Sequence, residues 1–409
     1  MRKWLSVTAI LVLGLALVIG VACGGEGGEE EEGVTEIKFG LGLPLSGIMG
    51  SFIGVPAKQA YELMAERIGV FEVGGKQYRW KPIFEDNEGS SAAGGMASTT
   101  KFIYTDDVDL VLQSGVAAMT AQTLCEESGI IIDMGSATLD AFGPDHPRTI
   151  QTGPSIIPQV AAFYDWLSKE HPEVERIVVV SLADPLAIAF VEAIESNMHE
   201  YFGFERDIVS LAAAMAEPYP VATSVMMLDP DLVISSPGVS ILDVLWDMGY
   251  EGLVAQYGPL LDQSLFEQVG WDKCKGVTFF YPEWYGAEDV WPEAIACAGE
   301  YEARYGVEMA TGAFATCVVL ETLTGVLQQA GTVDDTEKIM EAVHSKATFD
   351  TMIGSVYYGG EAFVGVNCLL MWPVAIWEVA GEREYELLDY YTPEEAEAIA
   401  LEVWTATMP

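Results

Sequence analysis

The chain has 409 residues, more than one hydrophobic core usually organises, and half of them are hydrophobic, which excludes a disordered chain. Its 62 acidic residues against 19 basic ones give a formal net charge of -43. Such a surface repels nucleic acid and anionic membrane, so no nucleic-acid partner is expected, and it favours solubility in a salty medium. The acids are spread along the chain, so the charge does not mark a site.

Arg2 and Lys3 begin a short positive region, and Trp4 to Ala22 is almost entirely apolar. A basic start, an apolar stretch and small residues describe a secretory signal over residues 1–22. Length alone also permits a membrane span. The run Gly20-Val21-Ala22-Cys23 resembles the bacterial lipoprotein lipobox, with glycine where leucine is usual. That resemblance implies a lipid on Cys23 and an extracytoplasmic chain held to the membrane by lipid only. Gly24 to Gly33 reads GGEGGEEEEG and has nothing to bury, so residues 23–33 are expected to form a solvated tether. Ten such residues span about 17 Å as a flexible coil.

From Thr35 onward, strand-like and helix-like segments alternate. Ile37 to Leu43 reads as a buried strand broken by Pro44 and Gly47. Ala57, Tyr61, Met64 and Ile68 mark a helix face. A strand near 80–84, a helix near 92–104, a strand at 110–112, a helix near 119–128 and a strand at 130–134 follow. After Gly153 and Pro154 the pattern restarts. A helix is predicted over 157–170, a strand over 177–182, and a helix face at Val191, Ile194, Met198 and Tyr201 ended by Gly203. Strands are predicted at 232–235, 253–256 and 277–280, and a long helix over 312–330. This alternation predicts an α/β fold of two doubly wound parallel-sheet lobes. One internal echo supports a relation between them. Asp107-Val108-Asp109-Leu110-Val111-Leu112-Gln113-Ser114 resembles Asp229-Pro230-Asp231-Leu232-Val233-Ile234-Ser235-Ser236. It places Ser114 and Ser236 at equivalent strand ends, where open α/β sheets bind ligands.

Five cysteines remain beside Cys23: Cys125, Cys274, Cys297, Cys317 and Cys368. An odd count leaves at least one thiol unpaired, and Cys274 with Cys297 is one candidate pairing. No C-x-x-C occurs, and His146, His171, His199 and His344 form no ligand pair, so no metal is expected. A hydrolase has no G-x-S-x-G to use here. The glycine run Gly40-Leu41-Gly42 echoes a dinucleotide turn, but Pro44 and Ser46 intrude and Glu85 lies too far on. No enzyme and no cofactor are therefore expected, and an NAD-binding enzyme is the weaker alternative.

Several markers come in order. They are Leu43-Pro44-Leu45-Ser46-Gly47, Phe84-Glu85-Asp86-Asn87, Gly135-Ser136-Ala137-Thr138, Ile150-Gln151-Thr152-Gly153-Pro154 and Phe349-Asp350-Thr351-Met352-Ile353-Gly354. Together they resemble the type I periplasmic binding proteins, specifically the branched-chain amino acid (leucine, isoleucine, valine) binding family. The resemblance implies two lobes joined by a three-crossing hinge. Residues 34–152 and 282–365 would form the first lobe, and 153–281 with 366–409 the second. It implies a small organic ligand bound between the lobes, an ABC transporter permease as partner, and no bond-making. A ligand-sensing receptor of the same fold is the other reading of this resemblance.

Ser46 and Gly47 are expected at the start of the first helix, where exposed N–H groups attract anions. By the resemblance, Ser114, Gly115, Ser136, Ala137 and Thr138 would hold a ligand carboxylate, although such residues also cap helices and turns. Leu186 and Ser236 would face them from the second lobe. The family's amine partners are missing: Ala183-Asp184-Pro185-Leu186 has no tyrosine, and Tyr257-Gly258-Pro259-Leu260 has leucine where an acid is expected. A buried ammonium without a carboxylate is costly. With Tyr257, Tyr281 and Trp284 as aromatic walls, the expected ligand is a carboxylate-bearing organic acid, with an aromatic body as one option.

Overall fold

The alternation read from the sequence becomes three sheets. The computed structural model describes residues 33–135, 137–182, 191, 198–211, 217–235, 240–256, 266, 269–280 and 290–407. By its contacts the chain divides into Met1–Thr35 and Glu36–Pro409, and the elements below belong to the second unit apart from the first two residues of β1.

In chain order they are β1 (Val34–Leu43), α1 (Val55–Ile68), β2 (Val70–Val73), β3 (Lys76–Asp86), α2 (Ala92–Lys101), β4 (Leu110–Gln113), α3 (Gly115–Ser128), β5 (Ile131–Met134) and β6 (Thr149–Ile150). Then come α4 (Ile156–Glu170), β7 (Arg176–Leu182), β8 (Glu205–Leu211), α5 (Tyr219–Leu228), β9 (Leu232–Ser235), α6 (Ser240–Asp247), β10 (Leu253–Gln256) and β11 (Thr278–Phe279). The remainder are α7 (Pro292–Tyr305), α8 (Thr311–Ala330), α9 (Thr336–His344), β12 (Thr348–Thr351), β13 (Gly354–Gly359), β14 (Leu369–Met371), β15 (Val374–Gly381), β16 (Glu384–Tyr391) and α10 (Pro393–Thr407).

The first sheet runs β2-β3-β1-β4-β5-β6, with β1, β4, β5 and β6 parallel. The second runs β16-β15-β11-β10-β9-β7-β8; it is parallel from β11 to β8, with β15 and β16 antiparallel at one edge. A small antiparallel sheet holds β12-β13-β14. Buried parallel strands need side chains that tolerate cover on both faces, and β4, β5, β9 and β10 are nearly continuous apolar runs.

The echo between the lobes is structural. Asp107 and Asp229 both take the left-handed conformation, with φ of 55° and 51°. Two residues on, Asp109 accepts the Lys38 N–H at 2.7 Å, within β1 and just before its pairing with β4 begins at Phe39. Asp231 accepts the Arg176 N–H at 2.8 Å on entry to β7. Each acid thus ties its own turn to the strand beside it, immediately before the two parallel strands pair.

Aromatic side chains fill the cores. Phe39 meets Tyr61 edge-on at 5.9 Å, and the Trp80 indole donates to Thr324 in α8 at 2.8 Å. In the second sheet Phe279 stacks on Trp377 at 4.3 Å, and Phe280 stacks on Phe163 of α4 at 4.1 Å. Helix α8 is apolar enough by length and composition to cross a membrane, yet Phe314, Cys317, Val318 and Leu320 are fully buried in the core.

Several elements go beyond the sequence reading. The β2–β3 hairpin turns on Gly74 and Gly75, both at positive φ, as a two-residue turn requires. Helix α3 starts at Gly115, four residues earlier than predicted. Strands β2, β6, β8 and β12–β16 and helices α5, α6, α7, α9 and α10 were not anticipated. Of the predicted face 191–201, residue 191 and residues 198–201 are helical and the rest lies outside the described residues.

Two crossings between the sheets run side by side. The Gln151 N–H donates to Cys368 O and the Leu370 N–H donates to Gln151 O, both at 2.9 Å. The Trp372 indole donates to Thr152 O at 3.2 Å. A third crossing, expected near Tyr281, lies outside the described residues.

Candidate functional site

The sheet order places the carboxyl ends of β3, β1, β4 and β5 side by side, and the loops that follow form one rim. Its foundation is a buried polar network. Asn87 donates to Gly42 O at 2.9 Å and to Gln113 Oε1 at 3.2 Å. The Gln113 amide donates to Ser98 at 2.8 Å and Thr99 at 3.0 Å. Gly42 is required there, because a Cβ would fall 2.2 Å from the Gln113 amide. Burial makes unsatisfied groups costly, so this closed network fixes where β4 ends.

Above the network, Asp86 Oδ1 accepts the N–H groups of Leu45 at 3.0 Å and Glu88 at 2.9 Å. Burial opposes its charge, but the Ser46 hydroxyl and the N–H groups of Glu88, Leu45 and Ser46 hold Asp86 below the ordinary carboxylate range. Ser46 is thus a partner of Asp86. Gly47, at φ 69°, opens a three-residue helical turn, and the first long helix, α1, starts eight residues later.

Asn87 also receives the Ser90 N–H at 2.8 Å, which holds Ser90 in the left-handed region at φ 62°. A non-glycine residue is kept there only by its surroundings. The result is a short approach of two hydroxyls: Ser90 Oγ lies 3.2 Å from Ser114 Oγ. Ser114 occupies the cap position of α3, but its side chain makes no cap bond. The adjacent Gly115, at φ 56°, gives the chain the turn it needs to enter the helix. A serine at a cap position whose hydroxyl is not used as a cap, beside a helix N-terminus, forms a donor set suited to an anion.

The β5 loop completes the described rim. Its Gly135 N–H donates to Gln113 O at 2.9 Å, Ala137 is buried, and Thr138 is half-buried with its hydroxyl on Asp140. Of the predicted site residues, the structure brings Ser46, Gly47, Ser114, Gly115, Ala137 and Thr138 to strand ends of one sheet. Ser136, Leu186, Ser236, Tyr257, Tyr281 and Trp284 lie outside the described residues, as does Cys23. Ser90, Asn87 and Gln113 were not singled out from sequence as site residues; the turn-forming run Asn87-Glu88-Gly89-Ser90 was the available signal.

Beneath the rim, where the first crossing leaves β6, Asp133 is 2% exposed. Its Oδ1 accepts the Thr152 N–H at 2.9 Å, and its Oδ2 has no hydrogen-bond partner among the described residues. Burial raises its pKa to about 6 against the bonds from Thr152. The Thr152 hydroxyl lies 2.6 Å from the Tyr358 hydroxyl, and all three side chains are buried. Among the described residues no group of three or more His, Cys, Asp or Glu could hold a metal ion.

No protein-family model matches the chain, and no curated protein sequence matches it. Solved structures do. A leucine-binding protein from Thermotoga maritima superposes with a TM-score of 0.72 at 16% identity, covering 88% of this chain and 99% of that one. An ABC-transporter solute-binding protein from Rhodopseudomonas palustris, in complex with p-hydroxybenzoic acid, gives 0.73 at 14% identity, covering 88% and 98%. A second from that organism, in complex with benzoate, gives 0.71 at 17% identity, covering 88% and 97%. The chain has the type I periplasmic binding protein fold. In this type I fold, the rim built by Asp86, Ser90 and Ser114 stands at the carboxyl ends of strands, where open α/β sheets take their ligands.

Proposed function

We propose that the chain is the extracytoplasmic solute-binding component of an ABC importer, which captures a small aromatic or other organic carboxylate between two lobes and hands it to a permease. The Ser114–Gly115 start of α3 carries this reading: its hydroxyl is not spent on the helix, and neutral donors of this kind hold a carboxylate without a paired cation. The fold supports it, and so do the p-hydroxybenzoate and benzoate in two of the similar structures. Leu260, where an amino-acid binder needs an acid, argues against an α-amino acid.

In this reading residues 34–152 and 282–365 form one lobe and 153–281 with 366–409 the other. Residues 1–22 are a signal, and Cys23 carries the lipid that tethers the protein outside the cell. Ser136, Thr138, Leu186, Ser236, Tyr257, Tyr281 and Trp284 join Ser114 and Gly115 around the ligand.

A thermal-shift panel tests the ligand class. Benzoate or 4-hydroxybenzoate is expected to raise the melting temperature, with leucine and valine silent; a leucine response with no effect of the acids would overturn the assignment. Ser114→Ala is expected to weaken binding of the responding acid roughly ten-fold, the loss of one hydrogen bond to a charged group. Calorimetric titration measures it, and an unchanged affinity would remove Ser114 from the site.

A further inference from the structure

We propose that Cys297 and Cys317 form a disulfide that staples α7 to α8. The proposal rests on the export reading above, because such bonds persist in oxidising compartments. Both thiols are fully buried, and their sulfurs lie 3.9 Å apart, with the Met64 thioether of α1 3.7 Å from Cys297. Cys125 sits in α3, Cys368 precedes β14 and Cys274 lies beside the second sheet, and no sulfur contact joins these three among the described residues. The pairing of Cys274 with Cys297 weighed from sequence is therefore replaced: Cys317 is the sulfur that Cys297 meets.

A disulfide needs its sulfurs ~2 Å apart, so each must move by ~1 Å, which side-chain rotation supplies. In the folded protein Cys297 is the more acidic of the pair, held down by its contact with Cys317 and by the Arg67 guanidinium against the effect of burial. The Cys297 thiolate attacks one sulfur of a carrier disulfide and expels a carrier thiolate, which takes up a proton. Cys317 then gives up its proton and attacks the Cys297 sulfur of the mixed disulfide, expelling the second carrier thiolate. The two cysteines lose two electrons and two protons, and the carrier disulfide gains both to become a dithiol. The exchange takes place during folding, before α8 closes over the pair.

The sequence supplies a direct readout. Trypsin cuts after Lys275, Arg304 and Lys338, so Cys297 and Cys317 fall in separate peptides, 276–304 and 305–338, each with one cysteine. The full chain is reduced, unfolded, refolded in a glutathione redox buffer, alkylated and digested without reductant. The expected product is peptide 276–304 linked to 305–338, with Cys125, Cys274 and Cys368 alkylated. The linked species vanishes in Cys317→Ser, and the oxidised protein melts roughly 5 °C above the reduced one. Recovery of both peptides fully alkylated from the refolded protein would overturn the proposal. Protein taken directly from cells is digested in parallel. A bond that forms in redox buffer but is missing there supports the pairing and counts against export alone.

Discussion

Asp133→Asn is expected to make the folded protein more stable at neutral pH, by roughly 2–3 kcal/mol, and to flatten its pH profile between about pH 4 and 6. The carboxylate is enclosed at the first crossing, with one oxygen on the Thr152 N–H and the other without a hydrogen-bond partner among the described residues. The hydroxyls of Tyr61 from α1 and Tyr358 from β13 are pushed up first by burial and then by the Asp133 charge. No ion pair involving Asp133 occurs among the described residues.

Burial raises the folded-state pKa from 3.8 to about 6. Below the unfolded value both states hold the proton, and the site costs nothing. As pH rises toward 6 the unfolded chain ionises freely while the folded one resists, so stability falls over that window and the loss is complete above it. Asparagine keeps an oxygen for Thr152 and carries no charge. Urea midpoints of both proteins at pH 4, 5, 6 and 7.5 measure the effect, and the difference between them isolates this residue from the remaining acids. Equal pH profiles, or a variant less stable at pH 7.5, would contradict the account.

Gly95→Ala is expected to cost about 1–3 kcal/mol and to weaken ligand binding at least ten-fold. Gly95 is where α2 crosses α3. A Cβ there would meet Ala117 Cα at 2.5 Å, its Cβ at 2.6 Å and its carbonyl oxygen at 2.7 Å. These are backbone or backbone-attached atoms, so no side-chain rotation relieves the clash and the helices must part. Ala117 lies in the first turn of α3 and its N–H donates to Ser90 O at 3.1 Å. Separation therefore moves Ser90, Ser114 and Gly115 together. Gly299→Ala in α7 is the control: nothing lies within 4 Å of its Cβ, and alanine favours a helix interior. Denaturant midpoints and a titration with the responding acid distinguish the two. If Gly95→Ala melted and bound like Gly299→Ala, the close crossing would not be what sets the rim.

The parallel strands were legible because burial on both faces writes them as unbroken apolar runs, as in Leu232 to Ser235. The echo of Asp107 with Asp229 was legible because the same turn and the same strand-pinning acid serve both sheets. Strand β16 was not, since its half-buried residues alternate with acids such as Glu384, Glu386 and Asp389 at an antiparallel edge. The start of α3 was missed because Ser114 is followed by Gly115, a poor helix former, and Gly115-Val116-Ala117-Ala118 shows no clear helical stripe. Sequence reasoning singled out Ser114 as a candidate, but not Ser90. Its role depends on a left-handed backbone held by Asn87, and no spacing in the sequence announces that geometry.

The second sheet gets one edge from β15 and β16, far along the chain from the β11 strand they extend. Helix α10 then reaches the third sheet, where Glu397 accepts the Tyr357 hydroxyl at 2.7 Å and the Gly360 N–H at 3.1 Å. During synthesis, the β11 edge of the second sheet therefore stays open until residues 374–391 have been made. Pairings over such distances along the chain form slowly, so closing this edge is a late step in building the second sheet.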